Sequence, residues 1–286
     1  MRNPTYEQEQ EIIKLYLSGK GQSYCSKQVL GQNSGYWTKK TLEKYHIPIR
    51  NHNTAVAIQN KARAKHKKED FFSIESSNMA WLMGFIASDG TIRKNCNEIK
   101  ISLALKDKEI LEKIKEVLEL EVEVKEFQTS NGYDACTLAW TCEQHKKDLA
   151  KYNIVPAKTF ILTPPIGLSE KYYIDYIRGY FDGDGSINLI KNSNGRGNGN
   201  IRWQVCSATK EIIEFIVDTL YIQYNIPKVT IMSDDSKNRQ NTLYYCQYSS
   251  TASREIYKIL YTENSLYLKR KKDKFEEVLS LIKPLK

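Results

Sequence analysis

Apolar residues in the first fifty positions recur at helical rather than strand spacing. From Glu7 to Leu17, the apolar residues Ile12, Ile13 and Leu17 stand in a charged background, and Ser18-Gly19 closes the run. The stretch SYCSKQVLG opens at Ser23, a residue type that caps helices, and stops at Gly31. A third stretch, SGYWTKKTLEKYHI, starts at Ser34 and sets Trp37, Leu42 and Tyr45 among basic residues. Three short helices joined by polar turns are expected over residues 1–50. Between Asn51 and residue 77 the apolar period lapses, and Lys61, Arg63, Lys65, Lys67 and Lys68 make a basic linker the expectation.

The remainder of the chain repeats itself. MAWLMGFIASDGTI at 79–92 returns as DYIRGYFDGDGSI at 175–187, and ISLALKDKEILEKIKEVL returns as WQVCSATKEIIEFIVDTL. LAKYNIVPAKT returns as LYTENSLYLKR, which pairs Lys158 with Lys269. The offset between copies grows along the chain, as insertion into hairpin loops produces, and NSNGRGNGN at 192–200 is one such loop. Each copy reads helix, strand, strand, helix, strand, strand, helix. In the first copy these are expected near 79–88, 91–94, 98–105, 108–120, 122–128, 134–141 and 143–152. Alternation places Ile99, Ile101, Leu103 and Leu105 on one face of a strand, and Ile201, Trp203 and Val205 on its counterpart. The opposite faces are polar and carry Lys100 and Arg202 at matched positions. The expected fold class is α+β: two pseudo-symmetric αββαββα halves, 78–163 and 164–286, after a small all-α module.

Composition narrows the function. The 286 residues include 43 Lys and Arg against 34 Asp and Glu, a net charge of +9. Residues 1–70 hold 13 of those basic residues and only 6 acidic ones, so a polyanion is the natural partner of the N-terminal module. No run of about 18 apolar residues and no apolar leader occur, so a soluble, intracellular, cytoplasmic protein with no membrane partner is expected. The six cysteines never form a C-x-x-C pair and the four histidines are dispersed, which argues against zinc and against a disulfide framework. Three short helices with this charge resemble a helix-turn-helix module, whose third helix would present Tyr36, Lys39 and Lys40 to the major groove of DNA.

The repeated helix ends, LMGFIASDG and IRGYFDGDG, resemble the paired motif of single-chain LAGLIDADG homing endonucleases. The residues also carry an argument of their own. Gly84 and Gly179 lie inside helices, where glycine costs about 0.5–1 kcal/mol relative to alanine unless two backbones must touch. Ala87 and Gly183 extend that small-residue stripe into a helix interface. Asp89 and Asp184 end the helices, where the macrodipole disfavours negative charge. Gly90 and Gly185 follow and are expected to supply left-handed turns. Two such ends side by side make an all-oxygen site suited to Mg²⁺ or Mn²⁺.

The resemblance implies that Asp89 and Asp184 hold the catalytic ions, with the carbonyls of Ser88 and Gly183 as further ligands, each acid serving one DNA strand. It also implies a basic residue in each half, Lys158 and Lys269, with Arg270 and Lys271 as neighbouring candidates. The polar faces would form a saddle on double-stranded DNA, read by Lys100, Ser102, Asn188, Lys191, Arg196, Arg202, Gln204, Tyr245 and Gln247. The leading expectation is a monomeric, metal-dependent, site-specific DNA endonuclease. Two alternatives keep the fold: a catalytically inactive DNA-binding regulator, and a maturase bound to group I intron RNA. The presence of both aspartates favours the enzyme.

Overall fold

The computed structural model describes residues 3–51, 68–190, 200–235, 241–262 and 266–281. The chain divides into two compact units, Met1–Lys65 and His66–Lys286.

The first unit contains α1 (Tyr6–Leu17), α2 (Gln22–Leu30) and α3 (Tyr36–Lys44). Thr5 and Gln8 form a reciprocal capping box at the start of α1. Ile12, Tyr16, Cys25 and Leu42 make the small core. Leu17 is exposed, because Ile12 and Tyr16 are one turn apart while Leu17 lies about 100° further round. Helix α2 starts one residue before Ser23, with Gly21 as its N-cap and no side-chain cap. Where α3 begins, Gly35 lies so close to Gln22 and Ser23 that a side chain would collide with them. Ser26 and Thr38 hydroxyls share a 2.8 Å hydrogen bond there, and Thr38 donates to the Gln22 carbonyl at 2.9 Å. At the other end of α3, Lys44 and Tyr45 both donate to Glu9 of α1, at 2.6 and 2.9 Å.

The second unit opens with α4 (Ser77–Asp89), β1 (Gly90–Ile92), β2 (Glu98–Ala104), α5 (Lys108–Val117), β3 (Lys125–Gln128), β4 (Asp134–Thr141) and α6 (Glu143–Lys151). The same succession follows as α7 (Tyr173–Asp184), β5 (Gly185–Ile190), β6 (Asn200–Ser207), α8 (Lys210–Tyr224), β7 (Met232–Asp234), β8 (Leu243–Tyr248) and α9 (Ser250–Leu260). An additional helix, α10 (Lys269–Leu281), ends the described chain. Each half holds a four-stranded antiparallel sheet, ordered β1-β2-β4-β3 and β5-β6-β8-β7. The fold is α+β, with the expected order of elements in both halves.

Alternation sets the faces of the sheets. Ile99, Ile101, Leu138 and Trp140 are buried in the first, as are Ile201, Trp203 and Val205 in the second. Leu103 is only partly buried, and Leu105 has left the strand for a 3-10 turn. Helices α5 and α8 cover these faces with Ile110, Leu111 and Ile114, and with Ile212, Ile213, Ile216 and Leu220.

Much of the stretch expected to be a linker, residues 52–67, lies outside the described residues. Its last part belongs to the core of the second unit: Phe71 and Phe72 are buried there. The buried His145 ring accepts from Trp140 Nε1 at Nδ1 (3.0 Å), which leaves Nε2 to donate to the Lys68 carbonyl at 2.8 Å. No described helix is long and apolar enough to cross a membrane. No disulfide joins any of the six cysteines.

The two halves meet along α4 and α7, the most extensive contact between any two elements. A methyl group on Gly84 would overlap the Tyr176 carbonyl oxygen, and one on Gly179 would overlap that of Trp81. These contacts are related by the same offset as the glycines themselves, so the seam is pseudo-symmetric. Neither backbone can retreat without unpacking a half. Gly84→Ala and Gly179→Ala should therefore each lower the unfolding free energy by about 2–3 kcal/mol. Urea unfolding followed by fluorescence checks this, with the exposed helical substitution Glu116→Ala as the silent control.

Candidate functional site

The seam ends at the paired aspartates. One turn beyond Gly179, a Cβ on Gly183 would strike the Ser88 hydroxyl and lie 3.2 Å from the Asp89 carboxyl carbon. Gly183 is thus the small residue that makes room for Ser88, whose Oγ turns back to the Phe85 carbonyl at 3.1 Å. The residue facing Gly183 across the seam is Ser88 rather than Ala87. Ala87 is buried, and the same place on α7 is taken by Asp182.

Gly90 and Gly185 do not form left-handed turns. Their φ values are −77° and −89°, and the chain runs extended from each helix straight into β1 or β5. Glycine is needed there because a Cβ would overlap Ile86 or Phe181. The consequence is useful: each aspartate sits where a helix end meets the first strand of a sheet, fixed by both.

Asp89 is accessible to solvent and Asp184 is half-buried. Partial loss of water behind the site raises the Asp89 pKa, against the opposing charges of Lys271, Lys158 and Arg270. Asp184 is pushed up to about 6, first by desolvation and then by the Asp89 charge. A carboxylate whose proton affinity is raised by burial and by a neighbouring carboxylate favours a cation beside it. Among the described residues no third His, Cys, Asp or Glu joins them. Two carboxylates, adjoining helix-end carbonyls and open access for water and phosphate fit a magnesium-like ion, which seldom has an all-protein cage.

Two buried lysines flank the acids. Lys158 follows Ala157, whose φ of 57° turns the chain inward, and its ammonium donates to the Gly90 carbonyl. In the second half the equivalent place belongs to Lys271, which donates to the Gly185 carbonyl and to that of Phe181 at 3.3 Å. Burial lowers both lysine pKa values, against the pull of the aspartates. Lys269 is not at the site: it is exposed and paired with Asp273, four residues on, on the outside of α10. The turn of the helix is the reason. Lys271, Phe275 and Val278 are the buried residues of α10, and their spacing is that of one helical stripe. That stripe was available in the sequence. Arg270 is committed elsewhere, to Asp107 beside the first sheet, at 3.0 and 3.1 Å.

The candidate reading residues lie on the polar faces. Lys100 pairs across the sheet with Thr91 and Ala139, and Ser102 shares a 2.9 Å hydrogen bond with Thr137. In the second sheet Ser186, Gln204 and Gln247 form one cross-strand row, with Gln247 Nε2 donating to Gln204 Oε1 at 2.9 Å. Asn188 and Arg202 form the next row, and Tyr245 opposes Cys206 on the other side. Lys125, Thr137 and Ser186 share these faces and were missed, although strand alternation marks them. Lys191 and Arg196 lie outside the described residues. In the first unit, Tyr36, Lys39 and Lys40 are all exposed along α3.

The raised Asp184 pKa has a definite sign for stability. Its ordinary value is 3.8, so between about pH 4 and 6 the folded protein holds a proton that the unfolded chain has lost. Folding is penalised increasingly over that interval and by a constant amount above it. Without divalent ions, Asp184→Asn should melt higher than the native protein at pH 7.5, and the gain should fade toward pH 4. Thermal unfolding across pH 4–8 measures it.

Residues 76–138 match the family model of the LAGLIDADG-like domain. No curated protein sequence matches the chain. Among solved structures, the LAGLIDADG meganuclease I-AabMI bound to uncleaved DNA is 16% identical, over 72% of this chain and 91% of that one, with a TM-score of 0.46. The meganuclease I-SmaMI bound to uncleavable DNA is 15% identical, over 72% and 90%, with a TM-score of 0.47. The N-terminal LAGLIDADG domain of DUF199/WhiA is 15% identical, over 74% and 93%, with a TM-score of 0.43. By the family model, residues 76–138 belong to a LAGLIDADG-like domain, and the plan of helices and strands found there recurs in the second half of the chain.

Proposed function

We propose that this protein is a site-specific, double-strand DNA endonuclease that hydrolyses phosphodiesters with divalent ions at the paired aspartates. The observation that carries the reading is the joint placement of Asp89, Asp184, Lys158 and Lys271 at one end of the helix seam. An inactive DNA-binding protein has no need of two adjacent, mutually repelling carboxylates with a buried lysine beside each.

Asp89 and Asp184, with the carbonyls of Ser88 and Gly183, would hold Mg²⁺ or Mn²⁺. Such ions polarise phosphoryl oxygens and acidify bound water. The protein's own part is positional. The glycine seam fixes the two carboxylates relative to each other, and Asp89 is exposed to solvent, from which a scissile phosphate would approach. Lys158 and Lys271 bring ammonium groups of lowered pKa to the charge that develops on those phosphates.

The polar faces of the two sheets supply base readout, with Lys100 and Arg202 suited to guanine and Gln204 and Gln247 to adenine. Tyr245 offers an apolar contact, Ser102 and Asn188 further hydrogen bonds. The basic N-terminal module adds a second duplex contact through Tyr36, Lys39 and Lys40. Two halves in one chain make a monomer acting on a pseudo-palindromic or asymmetric target.

Incubating the full chain and Mg²⁺ with a plasmid library of randomised targets tests the proposal. Defined double-strand cuts should appear and be abolished by Asp89→Asn and Asp184→Asn. Lys271→Met should slow cutting by about 100-fold, an effect in the range of lost transition-state donors, while Lys269→Met should leave it nearly unchanged. Tight duplex binding without cutting under any divalent ion would instead identify a regulator, and selective binding of a structured intron RNA a maturase.

A further inference from the structure

The two motif helices differ by three buried charges. Where α4 has Ala80, Met83 and Ala87, α7 has Asp175, Arg178 and Asp182, each one turn from the next, and Arg178 pairs with Asp175 at 2.7 Å. Arg178 donates from Nε to the Leu266 carbonyl at 2.8 Å and from Nη1 to the Leu260 carbonyl at 3.1 Å. Asp182 accepts at Oδ2 from two directions, Trp81 Nε1 of α4 and the Leu268 amide, both at 2.9 Å. Its other oxygen has no hydrogen-bond partner among the described residues.

Leu268 is the residue on which α10 is seated. Its carbonyl accepts the Lys271 amide at 2.9 Å and the Lys272 amide at 3.3 Å. A short covalent and hydrogen-bonded path thus runs from the Asp182 carboxylate through Leu268 to the backbone of Lys271. Among the described residues no such path exists in the first half. Ala87 occupies the matching place, and Lys158 sits in a 3-10 turn closed by its own carbonyl, which accepts from Ile161 at 2.9 Å. A buried carboxylate is costly where an apolar residue serves the same packing, and Ala87 shows that one does serve in α4.

We propose that Asp182 is a positioning residue that seats the first turn of α10 and thereby fixes Lys271, making the second half-site alone dependent on this contact. The consequence for cutting rests on the nuclease reading above; the structural claim does not. Losing the contact should free Lys271 while leaving Lys158 in place, and so convert a double-strand cutter into a strand-selective nickase.

Amine acetylation of the full chain, quantified per lysine by peptide mass spectrometry, tests the structural claim without any cleavage assay. Asp182→Ala should raise the labelling rate of Lys271 about tenfold, the scale of a lost hydrogen bond to a charged group, with Lys158 unchanged. Asp182→Asn retains an acceptor oxygen and should keep Lys271 protected. An equal rise at both lysines, or no rise at Lys271, overturns the proposal.

On a supercoiled plasmid bearing a target that the native protein linearises, Asp182→Ala should accumulate nicked circles. The intact strand should be the one that Lys271→Met leaves intact, slowed about 10- to 100-fold relative to its partner. Equal slowing of both strands would overturn the proposal. Failure of the native protein to cut any target would sink the nuclease reading instead, with the labelling result still deciding the role of Asp182.

Discussion

The contact of two helix backbones at Gly84 and Gly179 governs the second unit. Each glycine faces a carbonyl oxygen of the other helix so closely that a single methyl group could not be inserted. Such an approach removes the compliance that side chains normally give a helix interface. The two sheets, each tied to its helix through Gly90 or Gly185, inherit a fixed relation from it. The same constraint delivers Asp89 and Asp184 to each other, because each is the last residue of its helix. Fold and chemistry are therefore not separate features here: the seam that joins the halves is also what forces two carboxylates together.

Much of this was legible from residues alone, because the decisive signals are local and duplicated. Interior glycines, terminal acids and alternating strands each appear twice in the same order, so each copy supports the interpretation of the other. What was misread depended on direction rather than identity. Aligning LAKYNIVPAKT with LYTENSLYLKR matched the wrong lysine, because an alignment counts residues and takes no account of which way a helix faces. The spacing of Lys271, Phe275 and Val278 gives that direction. Gly90 and Gly185 were likewise assigned a left-handed turn from their position after a helix, when crowding by Ile86 and Phe181 is the actual demand. The Phe71-Phe72 pair was hidden in a stretch whose charge outweighed two apolar residues in the reading.

Electrostatics shows how the site is held in readiness. Lys158 and Lys271 bond to the carbonyls of Gly90 and Gly185, the residues immediately after the two aspartates, and not to the carboxylates. Had the lysines paired directly with the acids, a divalent ion would have to break two buried ion pairs to enter. As arranged, the ammonium groups offset part of the repulsion between the carboxylates without bonding to them, and the Tyr180 hydroxyl also lowers the Asp184 pKa. The raised Asp184 pKa reflects desolvation first and the remaining Asp89 charge second.

The duplication has not produced two equal halves. Helix α4 is apolar at Met83 and Ala87, whereas α7 carries Arg178 and Asp182 in buried positions that reach the segment leading into α10. Helix α10 in turn places Arg270 on Asp107 of the first half, so the last helix bonds to both halves. A symmetric dimer could not have evolved this arrangement, since any polar residue introduced in one subunit would appear in the other. Fusion into a single chain removes that restriction and lets the two lysines be supported by different means, one by a local turn and one by a buried carboxylate. Unequal support is the physical basis on which two half-sites sharing one seam come to respond differently to the same perturbation.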